Sequence, residues 1–469
     1  MSTEKSTGPR EGSLDAPTRH PLDWRNPQFY DESALEKELE RVFDICHGCR
    51  RCFSLCNAFP TLFDAVDNSA TGELDGVERK VFWDVVDHCY LCDMCYMTKC
   101  PYVPPHPWNV DFPHLMLRAK AVKHSQGRTS TRDRILSSTE AVGRIAGIPV
   151  VVEAVNAANR NATARKLLQK TLGVHANAPV PEYHSRTFRK RRRRIERERK
   201  RLALQTGAQA AVVKATQETT GKVALFVTCY GNRNEPDLAE DLVAVFEHNG
   251  ITVRVVPQER CCGMPKLELG DLESVAKLKD ANILTLAALV DEGYDLVAPI
   301  PSCVLMFKQE LPLMFPDDAD VARVRRRFFD PFEYLALRHR AGLLRTDFVT
   351  PLGKIAYHVP CHLRVQNIGL KTRDVLRLVP ETTVETIERC SGHNGTYAVK
   401  KEFHEVSMKI GRPVAGKVTQ AGADHYSSDC PMAGHQIEKG LSEKGLSEKG
   451  GAGRAPEPPL KLLRKAYGI

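Results

Sequence analysis

Long apolar runs are missing from the 469-residue chain: none reaches the 18 residues that a membrane-crossing helix needs. The longest candidate, Leu296 to Phe307, is short and carries two prolines, so a spanning helix is excluded. Residues 1–20 are polar, with Pro, Gly, Ser and charges and no apolar stretch. No export signal is therefore expected. The location reads as cytoplasmic, with peripheral contact on the inner face of a membrane as an option. No Gly-x-Gly-x-x-Gly follows a predicted strand, and no Ser-His-Asp set stands out. A flavin or nicotinamide cofactor, where one takes part, belongs to another chain.

Dispersed basic charge is also lacking. The net charge is +9, yet Arg186 to Arg201 alone holds eleven Lys/Arg and two Asp/Glu, and the rest carries 56 basic and 56 acidic residues. A neutral body with one basic stretch is not the footprint of a protein that lies along nucleic acid. Nor does Tyr or Trp interleave with the run; only Phe188 flanks it, so no stacking platform for bases exists. Three readings of the run stand: a solvated interdomain helix, adhesion to anionic lipid, and an acidic partner or nucleic acid. With 42% hydrophobic and 27% charged residues, the remainder can fold as an ordinary soluble protein of about three domains.

Cysteine is plentiful, with fifteen residues. In a chain without an export signal such thiols stay reduced, so metal binding or redox chemistry leads. The first eight form two quartets: Cys46, Cys49, Cys52, Cys56, spaced C-x2-C-x2-C-x3-C, and Cys89, Cys92, Cys95, Cys100, spaced C-x2-C-x2-C-x4-C-Pro. Three thiolates at steps of three can wrap one cubane, and in two-cluster ferredoxins the fourth comes from the other quartet. Carried onto this sequence, one [4Fe-4S] cluster takes Cys46, Cys49, Cys52 and Cys100, and the other Cys89, Cys92, Cys95 and Cys56. Asn57 replaces the proline expected after Cys56, and the second quartet has one extra residue; neither removes a ligand. Structural zinc is the alternative, but zinc modules usually supply two separated C-x2-C pairs. Val77 to Val86 reads as a helix between the quartets. Val103 to Trp108 is a partly apolar segment that restricts water, and Val110 to Val122 is a further helix burying Leu115, Leu117 and Ala121.

Arg132 to Thr171 is mostly helical, interrupted at Gly147 and Pro149, and Ala178 to Tyr183 reads as a turn before the basic run. The remaining seven cysteines reveal a repeat. In the first copy, the strand Val223 to Val227 leads to Cys229, a helix (Glu235 to His248) and strand (Ile251 to Val256) lead to Cys261-Cys262-Gly263, and a helix (Asp271 to Asp291) and strand (Leu296 to Ile300) lead to Cys303. In the second, the strand Lys354 to Val359 leads to Cys361-His362, and a helix near Thr372 to Leu378 and Thr383 to Glu388 lead to Cys390-Ser391-Gly392. A long helix (Tyr397 to Ile410) and Asp424 to Ser428 then lead to Cys430. Alternating strands and helices of this length imply parallel sheets. Each single cysteine falls where a strand ends and a helix begins, where free N–H groups and the helix dipole favour thiolates. One site per copy is expected.

The motif Cys229…Cys261-Cys262-Gly263…Cys303 resembles the cysteine-rich CCG domain of heterodisulfide reductase-related proteins. Two ferredoxin-type quartets followed by two such copies is that family's architecture, over about residues 40 to 438. The string Cys92-Asp93-Met94-Cys95-Tyr96-Met97-Thr98-Lys99-Cys100-Pro101-Tyr102-Val103-Pro104-Pro105 looks most like the family branch found as a subunit of anaerobic glycerol-3-phosphate dehydrogenase. The fullest form of the family has five cysteines per copy. Here the first copy retains four (Cys229, Cys261, Cys262, Cys303) and the second three (Cys361, Cys390, Cys430), with His362 and His393 beside the latter. Four soft ligands suffice for an additional iron–sulfur or zinc centre.

The fold class expected is multidomain α+β, divided as follows: a disordered N-terminus (1–35), a dicluster ferredoxin-type domain (36–123), a helical linker with the basic run (124–205), a first CCG domain (206–345), a second (346–438) and a flexible tail (439–469). The tail contains a tandem Lys-Gly-Leu-Ser-Glu and a short basic amphipathic stretch, Leu460 to Tyr467, suited to docking on the body or on a membrane. The resemblance implies an electron-transfer iron–sulfur protein with two [4Fe-4S] clusters. Its partner would be a flavoprotein dehydrogenase or other redox protein, or quinone. Reduction of a disulfide-type substrate at the first CCG copy is the alternative. A zinc-stabilised nucleic-acid-binding scaffold is less supported.

Overall fold

The structure, a computed structural model, describes residues 17–206, 213–443 and 455–469. The chain forms two compact units, residues 17–128 with Leu313–Phe315, and the rest.

The first unit is helical: α1 (Glu32–Cys49), α2 (Ala58–Asp67), α3 (Arg79–His88), α4 (Met94–Thr98) and α5 (Phe112–Ser125). Asp31 starts α1 by accepting from the Ala34 N–H at 2.6 Å. Leu35, Leu39, Val42 and Phe43 then recur at helical spacing on its buried face. Phe43 meets Phe82 edge-on at 5.0 Å, and Phe59 lies 4.7 Å from Phe112. Each fully buried side chain of this kind stabilises by about 1.5–3 kcal/mol. Leu115, Leu117 and Ala121 are buried in α5, as the apolar pattern indicates.

The N-terminus expected to be disordered to residue 35 differs. Residues 1–16 lie outside the described residues, but Pro27–Tyr30 forms a 3-10 turn and α1 is under way by Glu32. Side-chain caps from Asn26 and Asp31 account for this.

The second unit begins with helices α6 (Thr131–Leu136), α7 (Thr139–Ala146), α8 (Val151–Arg160), α9 (Ala162–Leu172) and α10 (Phe188–Thr206). The linker is thus no free-standing connector. Arg132 pairs with Glu402 at 2.6 Å, and Val174 bridges to Lys400.

Two parallel sheets follow, of order β2-β1-β3-β4 and β6-β5-β7. The first contains β1 (Lys222–Leu225), α11 (Cys229–Arg233), α12 (Pro236–His248), β2 (Thr252–Val255), α13 (Met264–Leu269), α14 (Leu272–Asp291), β3 (Asp295–Val297) and α15 (Pro301–Leu305). Next come α16 (Leu311–Met314), α17 (Ala319–Arg327), the edge strand β4 (Phe328–Phe329) and α18 (Pro331–Arg340). The second contains β5 (Gly353–His358), α19 (Cys361–Arg364), α20 (Lys371–Leu376), β6 (Thr382–Ile387), α21 (His404–Ala421), β7 (His425–Ser428) and α22 (Pro431–Glu443). Val223 aligns with Val253 and Asp295, and Ile355 with Val384 and His425. The same order, with the first strand in the middle, recurs in both copies.

Two elements differ from expectation. The helix placed over Tyr397 to Ile410 starts at His404 and runs to Ala421, through Pro413. Residues 393–403 instead turn, with Asn394 and Gly395 in the left-handed region. The tail is not all flexible. Lys439–Glu443 extends α22, and α23 (Pro459–Tyr467) buries Leu460, Leu462, Leu463 and Tyr467. Its Arg464 pairs with Asp241 of α12 at 2.8 Å, so the amphipathic stretch docks on the body. The tether expected over 444–454 lies outside the described residues. Among the described residues no single helix is long and apolar enough to cross a membrane.

Candidate functional site

In the first unit, helix ends deliver the thiols. The last turn of α1 places Cys46 and Cys49 on one side, since residues three apart share a helix face. Arg50, at φ 52°, ends the helix and turns the chain back towards Cys52. Cys56 precedes α2, Cys89 caps the end of α3, Cys95 lies in α4 and Cys100 follows it, its N–H donating to the Cys95 carbonyl at 2.9 Å. Left-handed Leu91 and Asp93 fold the second loop tightly.

Electrostatics show which thiols face one another. Burial pushes the Cys46 thiol well up, and repulsion from Cys100, Cys52 and Cys49 adds to it. Cys52 is pushed up to about 12 by burial, then by Cys100 and Cys49. Cys95 is raised by burial, then by Cys52, Cys92, Cys89 and Cys56. Cys46 and Cys52 thus feel Cys100 as well as the thiols of their own loop, and Cys95 feels Cys52 and Cys56 as well as Cys89 and Cys92.

An N-terminal strap lies against the second loop. The Arg19 guanidinium spans Asp93 (2.5 and 3.1 Å) and Asp111 (2.8 and 3.0 Å) and stands 4.7 Å from the centre of the Tyr96 ring. Tyr96 donates its hydroxyl to the Thr18 carbonyl at 2.7 Å. Sequence reading missed Arg19; its partners lie 74 and 92 residues away.

In the second unit, the cysteines cluster beyond the carboxyl ends of both sheets, where strand order reverses and parallel sheets open a crevice. Cys229 and Cys361 begin α11 and α19, Cys303 lies in α15, and Cys430 directly precedes α22. Cys229 and Cys262 hydrogen-bond to Cys261, which with the Gly263 N–H and the Thr139 hydroxyl draws the Cys261 thiol well down; Cys262 also bonds Cys303. Thr139 Oγ1 lies 3.5 Å from Cys229 Sγ and 3.8 Å from Cys261 Sγ, and the Cys261 N–H donates to Glu140 at 3.1 Å. The start of α7 thus completes this group, a contribution invisible in sequence across 121 residues.

Gly392, at φ +80°, could bear no Cβ, which would strike the Ser407 carbonyl oxygen. Cys361 is raised by burial, then by Cys390 and Cys430. Cys430 is pushed up to about 11, by burial first, and Cys303 contributes. The two copies' sets therefore adjoin through Cys303 and Cys430, where separate sites were expected.

The histidines considered as extra ligands differ. His362 Nδ1 lies 2.8 Å from Ser302 Oγ. His393 is buried, which pushes it down to about 4, and its Nδ1 has no partner among the described residues. Among the described residues no group of three or more His, Cys, Asp or Glu is arranged to hold a metal ion, the two quartets and the seven cysteines of the two copies included. What the first unit offers is eight soft thiols, half-buried or buried, and for Cys46 and Cys95 burial and mutual repulsion oppose ionisation. Such a donor set fits a positively charged iron–sulfur core.

Comparison with known proteins follows the same outline. The family described as CCG, cysteine-rich domain, matches residues 223–308 and 355–438. A subunit of anaerobic glycerol-3-phosphate dehydrogenase from Escherichia coli (strain K12) is 28% identical over 342 residues, 72% of this chain and 80% of that protein. Lactate utilization protein A of Bacillus cytotoxicus is 30% identical over 216 residues, 45% of this chain and 87% of the relative. A subunit of a fumarate reductase (CoM/CoB) from Methanothermobacter marburgensis is 26% identical over 233 residues, 48% of this chain and 44% of the relative.

Proposed function

The chain belongs to the family of proteins built on paired cysteine-rich CCG domains, and from that premise we propose that it is an iron–sulfur electron-transfer subunit of a dehydrogenase or reductase. Cys46, Cys49, Cys52 and Cys100 would hold one [4Fe-4S] cluster and Cys89, Cys92, Cys95 and Cys56 the other. Bound there, the clusters supply one-electron carriage. The chain's own part is to seat them and limit water. The buried Phe59, Phe82 and Phe112 share one apolar core with Cys89 and Cys95, and Cys46, Cys49, Cys52, Cys56 and Cys100 pack against it. Cys229, Cys261, Cys262 and Cys303 would hold a further iron–sulfur centre; the second copy is one thiol short.

One observation supports the reading above others: the last cysteine of each quartet acts on a thiol of the other, Cys100 on Cys46 and Cys56 on Cys95. The partner is a flavoprotein dehydrogenase, in line with the dehydrogenase for which the glycerol-3-phosphate relative is named, with quinone as the onward acceptor. The contiguous thiols of the first CCG copy favour one second reading, reduction of a disulfide-type substrate there. EPR of the dithionite-reduced protein tests the assignment. Cys52→Ser removes one of two cubane signals, and Cys262→Ser leaves both. Retention of both signals in Cys52→Ser overturns the ligand sets.

A further inference from the structure

The basic helix α10 has two chemically distinct sides. Towards the body, Arg189 pairs with Glu259 at 3.0 Å, Arg191 with Asp237 at 2.6 Å, and Arg192 with Glu247 at 2.7 Å and Glu196 at 2.9 Å. Phe188 is buried beside them. These pairs neutralise the inner side.

The outer side is another matter. Lys190, Arg193, Arg194, Arg197 and Arg201 are exposed and recur at three- and four-residue steps, so they form one stripe roughly 16 Å long. Lys190 donates to the Ser185 carbonyl at 2.8 Å, which leaves its charge uncompensated. Arg194 has Glu198 at 3.3 Å, both well exposed. Among the described residues no carboxylate pairs with Arg193 or Arg197. Four of the cations, with Glu198, line a shallow depression of about 400 Å³.

We propose that this stripe is a docking surface for an anionic lipid bilayer. Four of its five cations are guanidinium forks, which match phosphate oxygens two at a time. The stripe is straight, strongly basic despite Glu198 and free of aromatic rings, so it offers lipid headgroups a row of charges and offers bases nothing to stack on. The rest of the chain is charge-balanced, so no second basic surface extends the stripe along a longer polyanion. Contact of this kind is peripheral and does not depend on what the cysteines hold.

The test is cosedimentation of the full chain with phosphatidylcholine vesicles, with and without phosphatidylserine. Binding is expected only with phosphatidylserine and should vanish in salt of about 1 M, where charge screening acts within ~3 Å. Each cation near the surface contributes roughly fivefold, so R193Q/R194Q/R197Q lowers partitioning on the order of a hundredfold with an unchanged thermal midpoint. R325Q/R326Q, exposed arginines elsewhere, changes it little. Failure of the wild type to bind, equal loss in the two variants, or binding to duplex DNA or a polyacidic protein but not to vesicles would each overturn the proposal.

Discussion

Replacing Arg19 by Met removes the one cation between two buried carboxylates. The side chains of Arg19, Asp93 and Asp111 are 8%, 5% and 18% exposed, and four hydrogen bonds join them. Breaking a buried pair from one side costs about 3–5 kcal/mol, because the charge left behind has lost water without a substitute. Met keeps most of the side-chain volume, so little of the loss is cavity. All three tryptophans, Trp24, Trp83 and Trp108, lie in the same unit, so their fluorescence follows its unfolding selectively. With a urea slope of about 2–3 kcal/mol per molar, the midpoint of the anaerobically prepared full chain should fall by ~1–2 M. Arg51→Met, at an exposed site, should change stability by less than about 0.5 kcal/mol. Adding Asp93→Asn and Asp111→Asn to Arg19→Met should recover most of the loss, since no lone charge then remains. A fall below about 1 kcal/mol for Arg19→Met, or no recovery in the triple variant, would refute the reasoning.

Three other outcomes follow from the geometry. Gly392→Ala should cost at least about 2 kcal/mol in thermal unfolding, whereas Gly416→Ala, in α21 with open space around it, should be neutral or stabilising by up to ~1 kcal/mol. Buried His358, bonded to Ser428 and the Arg389 carbonyl, is pushed down to about 4 by burial. The unfolded chain takes up that proton near pH 6.5, so this contribution is complete above pH 6.5 and roughly 3 kcal/mol is lost by pH 4; His358→Gln should flatten that part of a pH–stability profile. Leu463→Ala, at a fully buried position of α23, should lower stability by about 2–5 kcal/mol, where a free tail would give no change in the urea midpoint.

The α/β repeat was readable because β1, β3 and β5 are short apolar runs soon followed by a cysteine or proline, the cysteines recur after the matching strands of the second copy, and Val223 and Ile355 sit in their sheets in equivalent places. Local pattern suffices for that. It does not reveal partners distant in sequence: Thr139 beside Cys229, Arg19 between Asp93 and Asp111, or α23 on α12. The late start of α21 was missed for a related reason. Tyr397 and Ala398 are apolar and buried, but they pack from a turn and not from a helix. The four ion-paired arginines of α6 and α10 likewise looked identical to the exposed ones.

Iron and acid-labile sulfide counts on chain purified without oxygen test the central claim most directly. About eight of each from the two quartets, more with a loaded CCG copy, together with two reduced-state EPR signals, is the predicted result. Colourless, iron-free protein that still unfolds cooperatively would contradict it.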